Sequence, residues 1–259
     1  MILSAIRAIR SRAKQVPGAA WTRPDGLVVA SYNIHKCVGT DRKRDPGRIV
    51  DVIGEMSPDI IALQEVDTRF GERRGLLPLE RLEHELGLIP VPLSKRSAAH
   101  GWHGNIVLFR KGLVSDVHEI SLPGLEPRGA LVTELDFEDD KGVRIIAAHF
   151  GLFRRSREQQ ARAIVDHVRK NRERPTIVLG DLNEWRVGAK SALHRLSPAF
   201  GALPPSAASF PSRLPFLALD RIISNRPGLI SEVVAHETPL SRIASDHLPV
   251  MTTLSYDAV

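Results

Sequence analysis

The sequence predicts an α/β fold, and three observations carry that expectation. Of its 259 residues, 42% are hydrophobic, enough for a substantial core and too many for general disorder. Residues 27–65 read as strand, loop, helix and strand, with polar side chains at both strand ends. Short apolar runs that suit strands then recur to residue 254 without an interrupting linker, so one domain over 27–259 is expected behind a separate segment at 1–26.

In that first segment Ile2, Leu3, Ile6 and Ile9 fall at helical spacing with arginines between and after them. Five basic residues against Asp25 give it +4 of the chain's net +6, so the remainder is nearly neutral and the basic balance is weak evidence for a DNA-binding face. Two readings stand: a helix end packed on or frayed from the domain, or a basic amphipathic segment through residues 1–16 touching an anionic membrane. Arg7 breaks the apolar run too early for a secretory signal, and no run reaches bilayer length. A lone Cys37 leaves no intramolecular disulfide and suits a reducing compartment, so the expected location is cytoplasmic, membrane-peripheral on the second reading of the tail. Residues 17–26 read as a linker.

Along the domain, 27–33 is an apolar strand ending in Asn33. Asp45 as N-cap and Pro46 at the first helical position open a helix carrying Ile49, Val50 and Ile53 on one face. It should stop near Met56, because Pro58 disfavours helix at Ser57. Residues 59–64 form the next strand and deliver Glu65. A charged loop over 67–78 leads to a short helix at 79–86. Residues 104–109, 114–120, 130–137 and 143–148 suit antiparallel strands, with 138–142 as a hairpin turn. The clearest helix is 156–172, striped by Ala161, Ile164, Val165 and Val168. A strand at 176–179 runs into Gly180-Asp181. Residues 198–215 read as a long surface loop, and strands at 217–224, 230–236 and 247–254 complete the chain.

Acids, amides and histidines gather at these strand ends, which is what metal-assisted hydrolysis of a phosphate ester uses. Asp181 and Asn183 are alternate residues, so in an extended loop they share a side; the carboxylate can align and part-deprotonate a water that the amide helps hold. Gly-Asp-Leu-Asn equally suits an Asx-turn that simply ends the strand. Asn33 and Glu65 offer hard oxygen donors, and Mg²⁺ needs only one or two carboxylates besides water and substrate phosphate; each alone is also an ordinary loop residue. His149 follows an apolar strand, and Arg154-Arg155-Ser156-Arg157 behind it suits phosphate oxygens or a solvated helix start. His247 can work beside the reacting phosphorus with Asp220 fixing its tautomer. Adjacent strand residues face opposite sides, so Asp246 should have another partner; a polar turn is the plainer reading of Ser245-Asp246-His247. His100 and His103 read as loop decoration and Cys37 as a small structural thiol. Trp185 could stack a base, touch lipid or pack beneath the site. No Walker loop or dinucleotide fingerprint is present.

Taken in order, Ser-Tyr-Asn-Ile-His at 31–35, Leu-Gln-Glu-Val at 63–66, Gly-Asn-Ile-Val-Leu at 104–108, Ala-Ala-His-Phe at 147–150, Gly-Asp-Leu-Asn-Glu at 180–184, Leu-Asp-Arg-Ile at 219–222 and Ser-Asp-His-Leu-Pro-Val at 245–250 resemble the endonuclease/exonuclease/phosphatase superfamily. The resemblance covers roughly residues 27–256. It implies a four-layer α/β sandwich of two mixed sheets with helices outside, and one divalent metal, usually Mg²⁺ with Mn²⁺ as substitute, in a cleft at one end. By motif it places Asn33, Glu65 and Asp246 at or near the metal, Asp181 and Asn183 at the water, His149 on the phosphate charge and His247 on Asp220. Asn105, Arg128, Arg154 and His35 complete the set as candidate substrate contacts. His35 stands where the superfamily's abasic-site endonucleases carry an acid, so the chain looks more like its sphingomyelinase-like and membrane-lipid-associated bacterial branch.

The expectation is a Mg²⁺-dependent phosphoesterase acting on a phosphodiester. Nucleic acid, a phospholipid or sphingolipid, and a sugar or inositol phosphate stay open as substrates. The non-enzymatic alternative is a binding protein that kept the fold and lost catalysis, which the full complement of site residues argues against.

Overall fold

The computed structural model describes residues 26–68, 73–93, 99–186, 188–255 and 259. The expected tail helix and most of the linker fall outside the described residues. Eleven strands form two mixed sheets. The first has six, in spatial order β10 (Val234–Ala235), β11 (Val250–Leu254), β1 (Leu27–Asn33), β2 (Ile60–Gln64), β4 (Ile106–Phe109) and β3 (Ile89–Pro90). The second has five in sequential order: β5 (Leu113–Leu122), β6 (Arg128–Asp136), β7 (Gly142–Ala148), β8 (Thr176–Asp181) and β9 (Asp220–Ser224).

Each sheet is centred on one parallel pair, β1–β2 and β7–β8, and the rest of its pairings are antiparallel. Both parallel pairs are joined through a helix, α1 (Pro46–Met56) and α3 (Arg154–Lys170), the connection such pairs require. Period-2 alternation then builds four layers. Leu27, Val29, Ile60, Ala62, Val107 and Phe109 meet Leu131, Ile145, Ala147, Ile177, Leu179 and Ile222 between the sheets. The alternate residues Val28, Ala30, Tyr32, Ile61 and Leu63 pack outward on Ile49, Val50, Ile53 and Met56 of α1 and Leu82 of α2 (Leu79–Leu86). Ala130, Val132, Ile146, Ala148 and Val178 do the same on Ala161, Ile164 and Val165 of α3. Strands covered on both faces are apolar at nearly every position, which is why β1, β2 and β8 read as unbroken runs.

Helix α1 begins and ends where its sequence dictates: the Asp45 carboxylate accepts the Arg48 N–H at 3.2 Å, and Ser57 turns left-handed at φ 46°. Elsewhere boundaries differ. Helix α3 starts two residues early, at Arg154, with no side-chain cap at Phe153. The strand expected over 230–236 shrinks to β10, with Ile230 making only an isolated bridge to Leu254. The strands expected from 217 and 247 begin three residues later, because Leu217, Leu219 and Leu248 bond to the loop residues Phe210, Leu182 and Ser209. The expected surface loop at 198–215 opens with one helical turn, α4 (Ser197–Phe200), and buries Ser209 and Ser212 completely.

Candidate active site

The carboxyl ends of β1, β2, β7 and β8 and the start of β9 share one end of the sandwich. Asn33, last in β1, donates from Nδ2 to Asp181 Oδ2, last in β8, at 3.0 Å across the two sheets. Gly180 lets β8 lie this close to its neighbour β7: a Cβ there would be 1.8 Å from the Ala148 carbonyl oxygen, and its φ is +141°. The other Asp181 oxygen accepts the Asn183 N–H at 3.0 Å, closing an Asx-turn. The turn and the chemical reading therefore coexist in one carboxylate. Asn183 itself sits at φ +52°, so the two side chains are not arrayed along an extended strand as the sequence suggested; its amide donates to the Phe150 carbonyl at 3.0 Å.

Two imidazoles reach the same oxygen of Asp181. His149 Nε2 lies at 3.4 Å and His247 Nε2 at 3.8 Å. His247 Nδ1 is held by Asp220 Oδ2 at 2.8 Å, the partnership expected from sequence, although His247 lies in a bend before β11 and not on a strand. Ser209 donates to the same Asp220 oxygen at 2.5 Å, and the Phe210 ring tilts against the imidazole at 4.9 Å. All five polar residues of this network are buried. Burial disfavours a charged imidazole, yet the Asp220 and Asp181 carboxylates outweigh it and push His247 up to about 10. Burial also pushes Asp181 upward, with the His247 charge opposing it.

Glu65 opens the neighbouring cleft, which it lines with Lys36, Asp67, Arg73, Arg128 and His149. His149 thus belongs to both halves of the site. Lys36 Nζ lies 2.5 Å from Glu65; burial would raise that carboxylate, but the ammonium holds it below its ordinary range. Lys36 gets there through a left-handed turn, with φ 44°, 55° and 60° at His35, Lys36 and Cys37. Such non-glycine residues cost roughly 1–3 kcal/mol each and persist where surrounding contacts over-determine them. Here the His35 N–H donates to Asn33 Oδ1 at 3.1 Å, and its ring lies 3.1 Å from the Val38 carbonyl and 3.7 Å from Asp246.

One cluster of His, Cys, Asp or Glu ligand atoms converges among the described residues, and a second set stands out by its donor chemistry. Asp181, Asp220 and His247 each place a ligand atom within 4.8 Å of the others. A His247 kept charged by Asp220 has no lone pair to give, so this trio suits proton transfer better. Glu65, Asp246 and the Asn33 amide oxygen are hard oxygen ligands, and Glu65 already carries a cation against it.

Three residues, Asn105, Arg157 and His103, differ from their expected roles. Asn105 is fully buried, its amide hydrogens given to the Trp102 and Gly129 carbonyls at 3.1 Å, so it fastens the loop before β4 and offers no exposed contact. Arg157 is not a phosphate-facing arginine: it is 1% exposed and pairs with buried Glu184 at 3.3 Å. His103 belongs to the Glu65 cleft and is more than loop decoration. Trp185 is half exposed, between the guanidiniums of Arg157 at 5.6 Å and Arg186 at 5.1 Å. Arg128 lines the Glu65 cleft while paired with Glu126 at 2.8 Å, whereas Arg154 is exposed on α3 and paired with Glu158 at 3.1 Å. Cys37 is buried, which pushes its thiol up to about 12, as suits a structural residue.

Sequence reasoning missed Lys36, Ser209, Ser245 and Glu184. Ser245 Oγ donates to the Asn33 carbonyl at 2.7 Å. Glu184 accepts from the Arg186 and Ala192 N–H groups at 2.9 Å, while Arg157 also donates to the Gly151 and Leu152 carbonyls. This ion pair thereby ties the loop after His149 to the loop after Asp181. The only signal was that Glu184 and Ser245 lie inside the motifs at 180–184 and 245–250. Glu184→Ala strands a buried guanidinium and is expected to cost about 3–5 kcal/mol in urea unfolding; a loss under 1 kcal/mol would contradict it.

Two sheets packed face to face, with acids, amides and imidazoles converging at one end, define a phosphoesterase-type fold. The chain belongs to the endonuclease/exonuclease/phosphatase family, whose model matches residues 30–247. It is similar to an endonuclease/exonuclease/phosphatase from Beutenbergia cavernae at 24% identity, with 88% of this chain and 71% of that one covered and a TM-score of 0.63. It is similar also to the Bacteroides thetaiotaomicron mannosyl-6-phosphatase (16% identity, 88% and 99% covered, TM-score 0.66). The human Nocturnin catalytic domain, with a bound sulfate anion, is a third (20%, 89% and 94%, 0.63). At these identities the likeness is one of fold. No curated protein matches the chain.

Proposed function

We propose that this chain is a Mg²⁺-dependent phosphodiesterase in which Asp181 aligns and deprotonates the attacking water. The observation that supports this best is the convergence on one Asp181 oxygen of Asn33, His149 and the His247–Asp220 pair, beside a cleft holding Glu65. Glu65, Asp246 and Asn33 would hold the ion, with Mn²⁺ as a substitute; when bound, it supplies Lewis-acid stabilisation of charge on the phosphoryl oxygens.

The chain's own groups do the rest. Asn33 and the Asn183 N–H fix the Asp181 carboxylate, and burial raises its basicity above that of a solvated acid, which suits a general base. Water forms its bond to phosphorus as one ester bond breaks, and its proton passes to Asp181. The departing alkoxide takes a proton from the imidazolium network, leaving a phosphomonoester and an alcohol. His149, Lys36 and Arg128 line the place where negative charge grows, and preorganised donors of that kind are each worth ~10²–10³ in rate.

The test is hydrolysis of an aryl phosphodiester with Mg²⁺, with and without chelator. Turnover is expected with Mg²⁺ or Mn²⁺, and its loss on chelation should be reversed by added metal. A folded protein inert toward aryl diesters under both metals would leave the binding-protein alternative standing.

A further inference from the structure

Nine large apolar side chains are exposed among the described residues, and they are not scattered evenly. Six of them, Leu125, Leu152, Phe153, Trp185, Leu214 and Phe216, are 48–82% exposed and lie on four segments around the site. Leu152 and Phe153 follow His149, Trp185 follows Asn183, and Leu214 and Phe216 lead into Asp220. The Leu152 N–H donates to Glu126 and the Leu125 N–H to Ser156, so these two segments adjoin. Trp185 and Phe216 line one groove of about 920 Å³, floored by Leu193, Leu217 and Ala218. Ile243, also exposed, stands across the site, its carbonyl accepting the Thr40 N–H.

Cations interleave with this rim. Arg42, Arg155, Arg186 and Arg213 are exposed, and their guanidiniums have no carboxylate partner among the described residues. Arg213 reaches the Thr40 carbonyl at 3.3 Å, joining the segment before Asp220 to the loop after β1. An apolar ring around a catalytic mouth, fringed by arginines without carboxylate partners, matches the headgroup boundary of an anionic bilayer. Single-stranded nucleic acid would be served by cations and aromatic faces; the aliphatic Leu125, Leu152, Leu214 and Ile243 have no base to stack. No helix among the described residues is long and apolar enough to cross a membrane, so the contact would be peripheral.

We infer that this rim docks on an anionic membrane surface and that the scissile phosphodiester belongs to a phospholipid within it. The inference rests on the phosphodiesterase reading for its chemistry but not for its docking. Hydrolysis would join a water oxygen to the lipid's phosphorus and break one phosphorus–oxygen ester bond, giving a phosphomonoester and an alcohol.

The test uses the full chain, with Mg²⁺, and vesicles of phosphatidylcholine with or without phosphatidylglycerol. Wild type should pellet with phosphatidylglycerol vesicles and hydrolyse that lipid. Phe153→Ser with Phe216→Ser should weaken vesicle binding and lipid hydrolysis together by ~10-fold or more, and leave aryl-diester turnover unchanged. Arg155→Glu with Arg213→Glu should erase the preference for phosphatidylglycerol. Rim variants that pellet as well as wild type would show that residues 1–26 carry the binding, and would overturn the docking. Preferential hydrolysis of single-stranded DNA, weakened by the same serine variants, would assign the rim to nucleic acid and overturn it also. If the aryl diester is untouched while rim-dependent vesicle binding persists, only the catalytic reading fails.

Discussion

Asp181→Asn is expected to lower phosphodiester turnover by ~10²–10⁴-fold, the range a positioned general base contributes. Asparagine has nearly the same shape but cannot accept a proton. The substitution also removes the anion that His149 and His247 face at 3.4 and 3.8 Å. Stability should change little. The Asn183 N–H can still bond the remaining carbonyl oxygen, one bond from Asn33 is at risk at about 0.5–1.5 kcal/mol, and a buried charge is relieved. The measurement is single-substrate kinetics beside urea unfolding. Turnover within about tenfold of wild type would exclude Asp181 as the base.

Asp220→Asn is the second large effect, and it separates electrostatics from shape. Asp220 is fully buried and accepts from both His247 Nδ1 and Ser209. Its charge is the main reason His247 stays protonated against the cost of burial. With asparagine, the imidazole should titrate well below its wild-type value of about 10, and turnover should fall ~10²–10⁴-fold through loss of the proton donor. The linkage has a definite sign. A folded-state value raised above the ordinary 6.5 adds stability that is fully present below pH 6.5 and is lost as pH rises through about 10. Wild type should therefore lose stability over that window, and the variant should show a flatter profile. NMR titration of the imidazole with unfolding at neutral and alkaline pH checks both. An unmoved His247 titration would remove Asp220 from the site.

Much of the fold was legible because local chemistry and tertiary fate agreed. Asp45-Pro46 caps α1, and the apolar runs of β1, β2 and β8 are covered on both faces. Boundaries slipped where tertiary contacts overrode local pattern. Residues 217–219 and 247–249 look strand-like but bond to loop residues, Leu217 to Phe210, Leu219 to Leu182 and Leu248 to Ser209, and Asp220 and His247 meet beside them at 2.8 Å. The serine- and proline-rich stretch at 198–215 reads as solvated surface, yet Ser209 points inward onto Asp220. Lys36 was invisible for a related reason: three consecutive left-handed residues aim it at Glu65, and no propensity rule places lysine there.

Sequence alone determined which polar groups would gather at one end of the sandwich, because Asn33, Glu65, His149, Asp181 and His247 each close an apolar run or stand at the entrance of one, and burial of that run fixes where its end must lie. It also set the layer architecture, since period-2 strands covered on both faces need helices outside two packed sheets. Only the tertiary structure decided who touches whom. Asn33 and Asp181 are 148 residues apart and on different sheets, and their 3.0 Å contact depends on how the two sheets pack. The apolar, cationic rim was equally hidden, because exposure is a property of the assembled surface, and a leucine in a loop carries no local mark of whether it will be covered.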